Sequence, residues 1–94
     1  MFLLCSYDIS SSPKRLQKIA QICKNYGVRV QSSVFELDVN LAELKKLQME
    51  VKKAIDPEKD SIRFYKLGKS YREHVEIIGA REHIELSKDD AIMF

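Results

Sequence analysis

The sequence predicts an α+β fold in which four strands form one sheet and two helices cover it. Three observations carry this prediction: short apolar or alternating runs, two stretches with helical spacing, and turn or cap residues between them. The 94 residues are enough for one small core, and hydrophobic residues at 45% with charged residues at 32% are typical of a globular chain. We therefore expect a single domain over residues 1–94.

The first strand and the first helix are predicted within residues 2–27. Residues 2–7 form an almost continuous apolar run that ends at Asp8, which is typical of a buried strand. Serines at positions 10–12 provide a cap, and Pro13 suits the first helical position. The helix ends at Gly27, and its apolar residues recur at helical spacing: Leu16, Ile19, Ala20, Cys23 and Tyr26.

The remaining elements are predicted from the same kinds of signal. Residues 28–37 are β-branched and alternate, which predicts a second strand. Asn40 with Glu43 three residues later indicates a capped helix that ends before Asp56-Pro57. Residues 61–67 alternate again, and residues 74–78 are predicted as a shorter strand that ends at Gly79.

Four strands and two helices are the content of the ferredoxin-like βαββαβ sandwich, in which both helices lie on one face of the sheet, and we assign the chain to that fold class. The open face is predicted to carry Phe2, Leu4, Phe35 and Leu37. An apolar open face on so small a domain favours burial against a second copy, and two-fold homodimers are the commonest oligomers. We therefore expect a sheet-to-sheet homodimer with these four residues at its interface.

The charge of the chain restricts how it could bind a polyanion. Sixteen Lys and Arg against fourteen Asp and Glu give a net charge of +2, too near neutral for a generic nucleic-acid coat protein. Lys14, Arg15 and Lys18 on the first helix, with Arg29 on the Gln31 face of the next strand, form the most plausible phosphate-contacting group. The alternative for the helix residues is a solvated surface.

The cysteines and the hydropathy pattern bear on the cellular compartment. Cys5 and Cys23 lie among apolar neighbours without the spacing of a zinc site, so we expect reduced core thiols. The opening apolar run is too short for a signal core or a membrane span. We expect a cytoplasmic protein that has no membrane partner.

Asp8 is the candidate catalytic and metal-ligating residue. It shares its strand parity with Phe2 and Leu4, so we expect it on the open face, and Ser33 is expected to hydrogen bond near it. Two Asp8 carboxylates brought together in a dimer would repel unless a proton or a divalent cation lay between them. Magnesium often uses only one or two carboxylates. The alternative, which spacing alone favours, is an aspartate that accepts turn hydrogen bonds from Ser10 or Ser11.

Several segments in order carry a resemblance to a known family. The segments are Tyr7-Asp8-Ile9, the run GVRVQSSVFE at 27–36, Asp56-Pro57, Asp60 to Arg63 and Ile78-Gly79. They resemble the CRISPR-associated small adaptation proteins, the CRISPR-associated endoribonuclease family of the spacer-acquisition pair. The resemblance extends over almost the whole chain.

The resemblance implies a homodimer of ferredoxin-like domains with one Mg²⁺ shared by the two copies of Asp8. It implies metal-dependent cleavage of RNA or DNA, with Tyr7, Arg29, Ser33 and Phe35 at family positions around the site. It also implies that the dimer bridges two dimers of the CRISPR integrase and holds the incoming DNA. The C-terminal tail, residues 83–94, would then dock at the dimer edge as a short strand.

One departure from the family pattern concerns the loop after Asp8. Residues 10–13 are Ser-Ser-Ser-Pro where members usually carry an acidic or polar stretch, which leaves Asp8 as the strong metal ligand of this loop. Two functions therefore stay open: a magnesium-dependent endonuclease acting in spacer acquisition, or a non-catalytic bridging dimer that holds duplex DNA. A toxin-like ribonuclease on the same fold is a third, weaker alternative.

Overall fold

The structure is a computed structural model that describes residues 1–79. The predicted docking segment at 83–94 lies outside the described residues. In chain order the elements are β1 (Phe2–Asp8), α1 (Pro13–Lys24), β2 (Gly27–Gln31), β3 (Val34–Asp38), α2 (Leu41–Ala54), β4 (Ser61–Leu67) and a 3₁₀ helix (Tyr71–His74). The predicted ferredoxin-like βαββαβ fold class is confirmed.

The positions of two strands along the chain differ from the prediction. The single strand predicted over 28–37 is a hairpin whose turn is Ser32 and Ser33. The prediction of a strand over 74–78 is wrong, because residues 71–74 form a 3₁₀ helix and residues 75–78 pair with no strand within the described residues 1–79. A serine pair is a weaker turn signal than glycine or asparagine, so the turn is hidden within a β-branched run.

The four strands form one antiparallel sheet in the order β2-β3-β1-β4. β2 and β3 approach each other closely at Gly27, where a Cβ would overlap the backbone carbonyl of Glu36. The core lies between one face of the sheet and the two helices. Its fully buried side chains include Leu3, Cys5, Ile19, Cys23, Phe35, Leu37, Leu47 and Val51.

Both helices begin as their caps predict. The Ser12 side chain accepts a hydrogen bond from the Arg15 backbone N–H at 3.1 Å, and Pro13 occupies the first turn of α1. Asn40 and Glu43 exchange two side-chain-to-backbone hydrogen bonds of 2.8 Å, which complete a capping box on α2. Within residues 1–79, neither helix has the length and apolar character needed to cross a bilayer.

The prediction that Phe35 and Leu37 lie on the open face is wrong. Phe35 is 0% exposed and Leu37 is 1% exposed, and both pack in the core beneath the helices. Phe35 pairs with Cys5, and Leu37 pairs with Leu3. Directly opposite residues in an antiparallel pair project to the same face, so these two follow their buried β1 partners. Alternation identifies the residues that share a face, whereas the register decides which face it is.

Phe2 and Leu4 do lie on the open face, where both are half-buried. The Phe2 ring packs against the ring of Tyr71, with centroids 4.8 Å apart. A groove of about 550 Å³ crosses this face. Its lining includes Leu4, Val30, Val34, Tyr65, Leu67 and Val75.

Cys5 and Cys23 are free, buried thiols, as the sequence predicts. Their Sγ atoms lie 3.9 Å apart between β1 and α1. The hydrogen bond between the thiols and their burial raise the pKa of Cys5. The pair therefore belongs to the packed core.

Candidate metal and nucleic-acid site

Asp8 is the last residue of β1, and its side chain is exposed on the face opposite the helices. It pairs with Ser61, the first residue of β4. A small cavity of about 160 Å³ opens at this corner of the sheet. The cavity is lined by Ser6, Tyr7, Asp8, Ser61, Arg63 and Tyr65.

Arg63 supplies a positive charge to the cavity that holds Asp8. Arg63 lies opposite Ser6 in the β1–β4 pairing, and its Nη1 donates a hydrogen bond of 3.3 Å to the Tyr65 hydroxyl. Sequence reasoning assigned no role to Arg63 or Ser61. The alternation in residues 61–67 could have placed Arg63 at this site, because it puts Arg63 and Tyr65 on the face opposite the more apolar Ile62.

Tyr7, near the end of β1, forms two hydrogen bonds with the turn between β2 and β3. Its backbone N–H donates to the Ser33 carbonyl at 3.1 Å, and its hydroxyl donates to the Ser32 carbonyl at 3.4 Å. Its ring stacks on Phe35 with centroids 6.3 Å apart. Burial raises the pKa of Tyr7 to about 12. The tyrosine thus stays neutral and holds the turn against β1.

Ser33 and Asp8 open onto opposite sides of the sheet. Ser33 lines a cavity of about 570 Å³ between α1 and the hairpin, together with Tyr7 and Arg29. Asp8 instead lines the open-face cavity. The structure therefore brings the Ser33 backbone next to Tyr7 but places the two predicted catalytic side chains on different cavities.

Arg29 lies on the α1 side of the sheet. It pairs with Phe35, and its guanidinium carbon lies 5.3 Å from the centroid of that ring. The ladder shifts register between Arg29 and Gln31, and Gln31 lines the open-face groove. The expectation that these two residues share a face is wrong, because a bulge breaks the alternation between them.

The basic residues at the start of α1 have different environments. Arg15 forms an ion pair with Asp60, with Nε and Oδ2 2.7 Å apart, and also donates to the Ser10 carbonyl at 2.9 Å. This guanidinium holds the pKa of Asp60 well below its usual range. Lys14 and Lys18 are exposed and line a shallow groove that reaches α2. Arg15 therefore has a structural partner, whereas the two lysines face solvent.

The donors around Asp8 are of the type that Mg²⁺ prefers. Asp8 contributes a carboxylate, and Ser6 and Ser61 contribute hydroxyl oxygens to the same cavity. Among residues 1–79, no group of three or more His, Cys, Asp or Glu side chains could hold a metal ion. The oxygen donors of this cavity are one carboxylate and two hydroxyls, which are of the kind that Mg²⁺ takes but do not form a closed cage within one copy.

Sequence comparisons match this chain to one family of known proteins. The family model described as "CRISPR associated protein Cas2" matches residues 1–75. The "CRISPR-associated endonuclease Cas2" of Halalkalibacterium halodurans is 46% identical, with 100% of both chains covered. The "CRISPR-associated endoribonuclease Cas2" of Chlorobaculum tepidum is 42% identical over 92% of this chain and 94% of its own.

A solved structure agrees with these sequence matches. The crystal structure of Streptococcus pyogenes Cas2 at pH 6.5 superposes with a TM-score of 0.77 at 43% identity. That match covers 84% of this chain and 100% of the S. pyogenes chain. Sequence and fold lead to the same assignment, and the chain belongs to the Cas2 family of CRISPR-associated proteins.

Proposed function

We propose that this chain is a magnesium-dependent endonuclease that hydrolyses phosphodiester bonds of RNA or DNA and acts with the CRISPR integrase in spacer acquisition. The observation that carries the proposal is the exposed Asp8 carboxylate at the end of β1, which shares its cavity with Ser6, Ser61 and Arg63. Relatives that match this chain nearly end to end are named endonuclease or endoribonuclease, which supports the reaction class.

The proposed active form is a homodimer that joins the open faces of two sheets. The half-buried Phe2 and Leu4 and the apolar groove beside them support this arrangement. One Mg²⁺ would lie between the two Asp8 carboxylates, where it relieves their repulsion. We also propose that residues 1–94 form a single domain and that the protein acts in the cytoplasm.

When bound, Mg²⁺ would supply Lewis acidity toward a phosphodiester and a bound water of lowered pKa. The protein contributes the Asp8 carboxylate that holds the ion. Arg63, in the same cavity, offsets the negative charge of the phosphodiester. Lys14, Lys18 and Arg29 would contact the nucleic-acid backbone on the helix side of the sheet, away from the Asp8 cavity, and Ser33 would bind a phosphate or water there beside Arg29.

The test is a cleavage assay on labelled RNA and duplex DNA with wild type and Asp8→Asn, each with Mg²⁺ and with chelator. We expect the variant and the chelated wild type to lose at least about 100-fold in rate, because each removes the metal ion from the site. The matched control is Asp38→Asn, another exposed aspartate that ends a strand, β3, and lies outside the Asp8 cavity. Equal rates for Asp8→Asn and wild type would refute the proposed site.

The alternative function is a non-catalytic dimer that bridges the integrase and holds duplex DNA. One carboxylate per copy at the cavity, with no closed cluster of metal-ligating side chains among residues 1–79, favours this alternative. It predicts no cleavage by wild type or Asp8→Asn, and equal binding of duplex DNA by both. Spacer acquisition in cells would then survive Asp8→Asn.

A further inference from the structure

Asp60 is a buried charged residue immediately before β4. The residue as a whole is 7% exposed, and its side chain is 0% exposed. Burying a carboxylate is unfavourable unless it is paired and hydrogen-bonded. The next residue is Ser61, which pairs with Asp8 across the β1–β4 ladder. A buried negative charge therefore lies one residue from the strand partner of the candidate metal ligand.

Four hydrogen bonds satisfy the Asp60 carboxylate. Oδ1 accepts from the Ser10 N–H at 2.9 Å and from Arg15 Nη2 at 3.3 Å. Oδ2 accepts from Arg15 Nε at 2.7 Å and from the Asp56 N–H at 2.8 Å. The donors come from the loop after β1, the first turn of α1 and the loop after α2. We call this arrangement the Asp60 clamp.

The Asp60 clamp holds the loop that follows Asp8. Ser10 is fixed at both of its backbone groups, since its N–H donates to Asp60 and its carbonyl accepts from Arg15 at 2.9 Å. The next residue, Ser11, has a φ of 52°, in the left-handed region that non-glycine residues rarely adopt. Such a conformation persists only where its surroundings over-determine it, and the clamp supplies that constraint.

We propose that Asp60 and Arg15 are a positioning pair that orients the Asp8 carboxylate for metal binding, and that Arg15 does not contact nucleic acid. The inference rests on the proposed function of Asp8. The ladder to Ser61 holds Asp8 from one side, and the clamp holds Ser10, two residues further along the chain. The pair thus acts on Asp8 through the backbone on either side of it, and loss of the outer groups that orient a metal ligand lowers metal affinity by about 10-fold to 100-fold.

The test uses Asp60→Asn and Arg15→Lys, with Mn²⁺ as the probe because it binds oxygen ligands and is detected by electron paramagnetic resonance. We expect both variants to bind Mn²⁺ about 10-fold to 100-fold more weakly and to exchange the Ser10 amide hydrogen faster. Arg15→Lys is informative because it keeps the positive charge but loses the planar fork that contacts both carboxylate oxygens. Arg15→Gln, which removes the charge, should leave the salt dependence of nucleic-acid binding unchanged, and a flatter salt dependence would show that Arg15 contacts phosphate and overturn that part of the proposal.

Val51→Ala is the control for general loosening of the fold. Val51 is a buried residue of α2 outside the Asp60 clamp, so its truncation lowers stability without removing a clamp contact. It should leave Mn²⁺ affinity and Ser10 exchange close to wild type. If Val51→Ala weakens Mn²⁺ binding as much as Asp60→Asn does, the clamp has only a structural role and the inference is overturned.

The outcomes separate this inference from the proposed function. Mn²⁺ binding that is lost in Asp8→Asn but unchanged in both clamp variants overturns the positioning pair and leaves the metal site standing. Wild type that binds no Mn²⁺ through Asp8 overturns both. Should Asp60→Asn fail to fold, Arg15→Lys decides, because the Arg15 side chain is 28% exposed and lysine can occupy its place.

Discussion

Replacing Phe35 with alanine tests whether this ring belongs to the core or to an interface between copies. The ring is 0% exposed, stacks on Tyr7 and lies 5.3 Å from the guanidinium carbon of Arg29. Truncating a buried phenylalanine costs about 3–5 kcal/mol in the free energy of unfolding. Because 1 kcal/mol shifts the Tm of a domain this small by roughly 4–8 °C, we expect Tm to fall by at least roughly 12 °C.

The matched control is Leu4→Ala, which truncates a half-buried side chain on the open face. We expect it to cost about 1 kcal/mol, since full burial of leucine contributes roughly 1.5–3 kcal/mol, and to weaken self-association. Urea denaturation followed by circular dichroism measures stability, and sedimentation velocity at micromolar concentration measures association. A Phe35→Ala protein with wild-type stability that sediments as a monomer would refute the placement of Phe35 in the core.

Three further predictions concern the core and the Asp60 clamp. Gly27→Ala should lower the free energy of unfolding, measured by urea denaturation, by about 1–3 kcal/mol, because its Cβ would overlap the backbone of β3. Gly68→Ala is the control: Gly68 has open space around it, so the free energy of unfolding should change by less than about 0.5 kcal/mol. Equal effects of the two substitutions would contradict the close approach of β2 and β3. The pKa of Asp60 is depressed in the folded state, so its stabilising effect is present above the ordinary aspartate pKa of about 3.9 and is lost as pH falls below that value. Asp60→Asn should therefore flatten the acid dependence of unfolding, and an unaltered slope would count against the ion pair. Cys5 and Cys23 should react with Ellman's reagent only after denaturant is added, because both are 0% exposed, and immediate labelling would show that the core is open.

Local signals in the sequence were sufficient for both helices and for β1. Ser12 caps α1, and Asn40 with Glu43 caps α2, through hydrogen bonds between residues three apart in the chain. Such contacts are encoded in short-range spacing and depend little on the rest of the fold. The alternation that places Asp8 at the exposed end of β1 is local in the same sense.

By itself the sequence determined the fold class, the first residues of both helices and the Asp8 candidate, but it placed the end of α1 at Gly27, whereas α1 ends at Lys24 and Gly27 begins β2. Only the tertiary structure decided that Phe35 is buried, that Arg29 faces α1 and that Arg15 binds Asp60, 45 residues away. Strand register and a bulge decide the burial of Phe35 and the side of the sheet on which Arg29 lies, and the packing of distant loops decides the partner of Arg15. Residue spacing reports neighbours within a turn or along a strand, but partners brought together by chain packing depend on the whole fold.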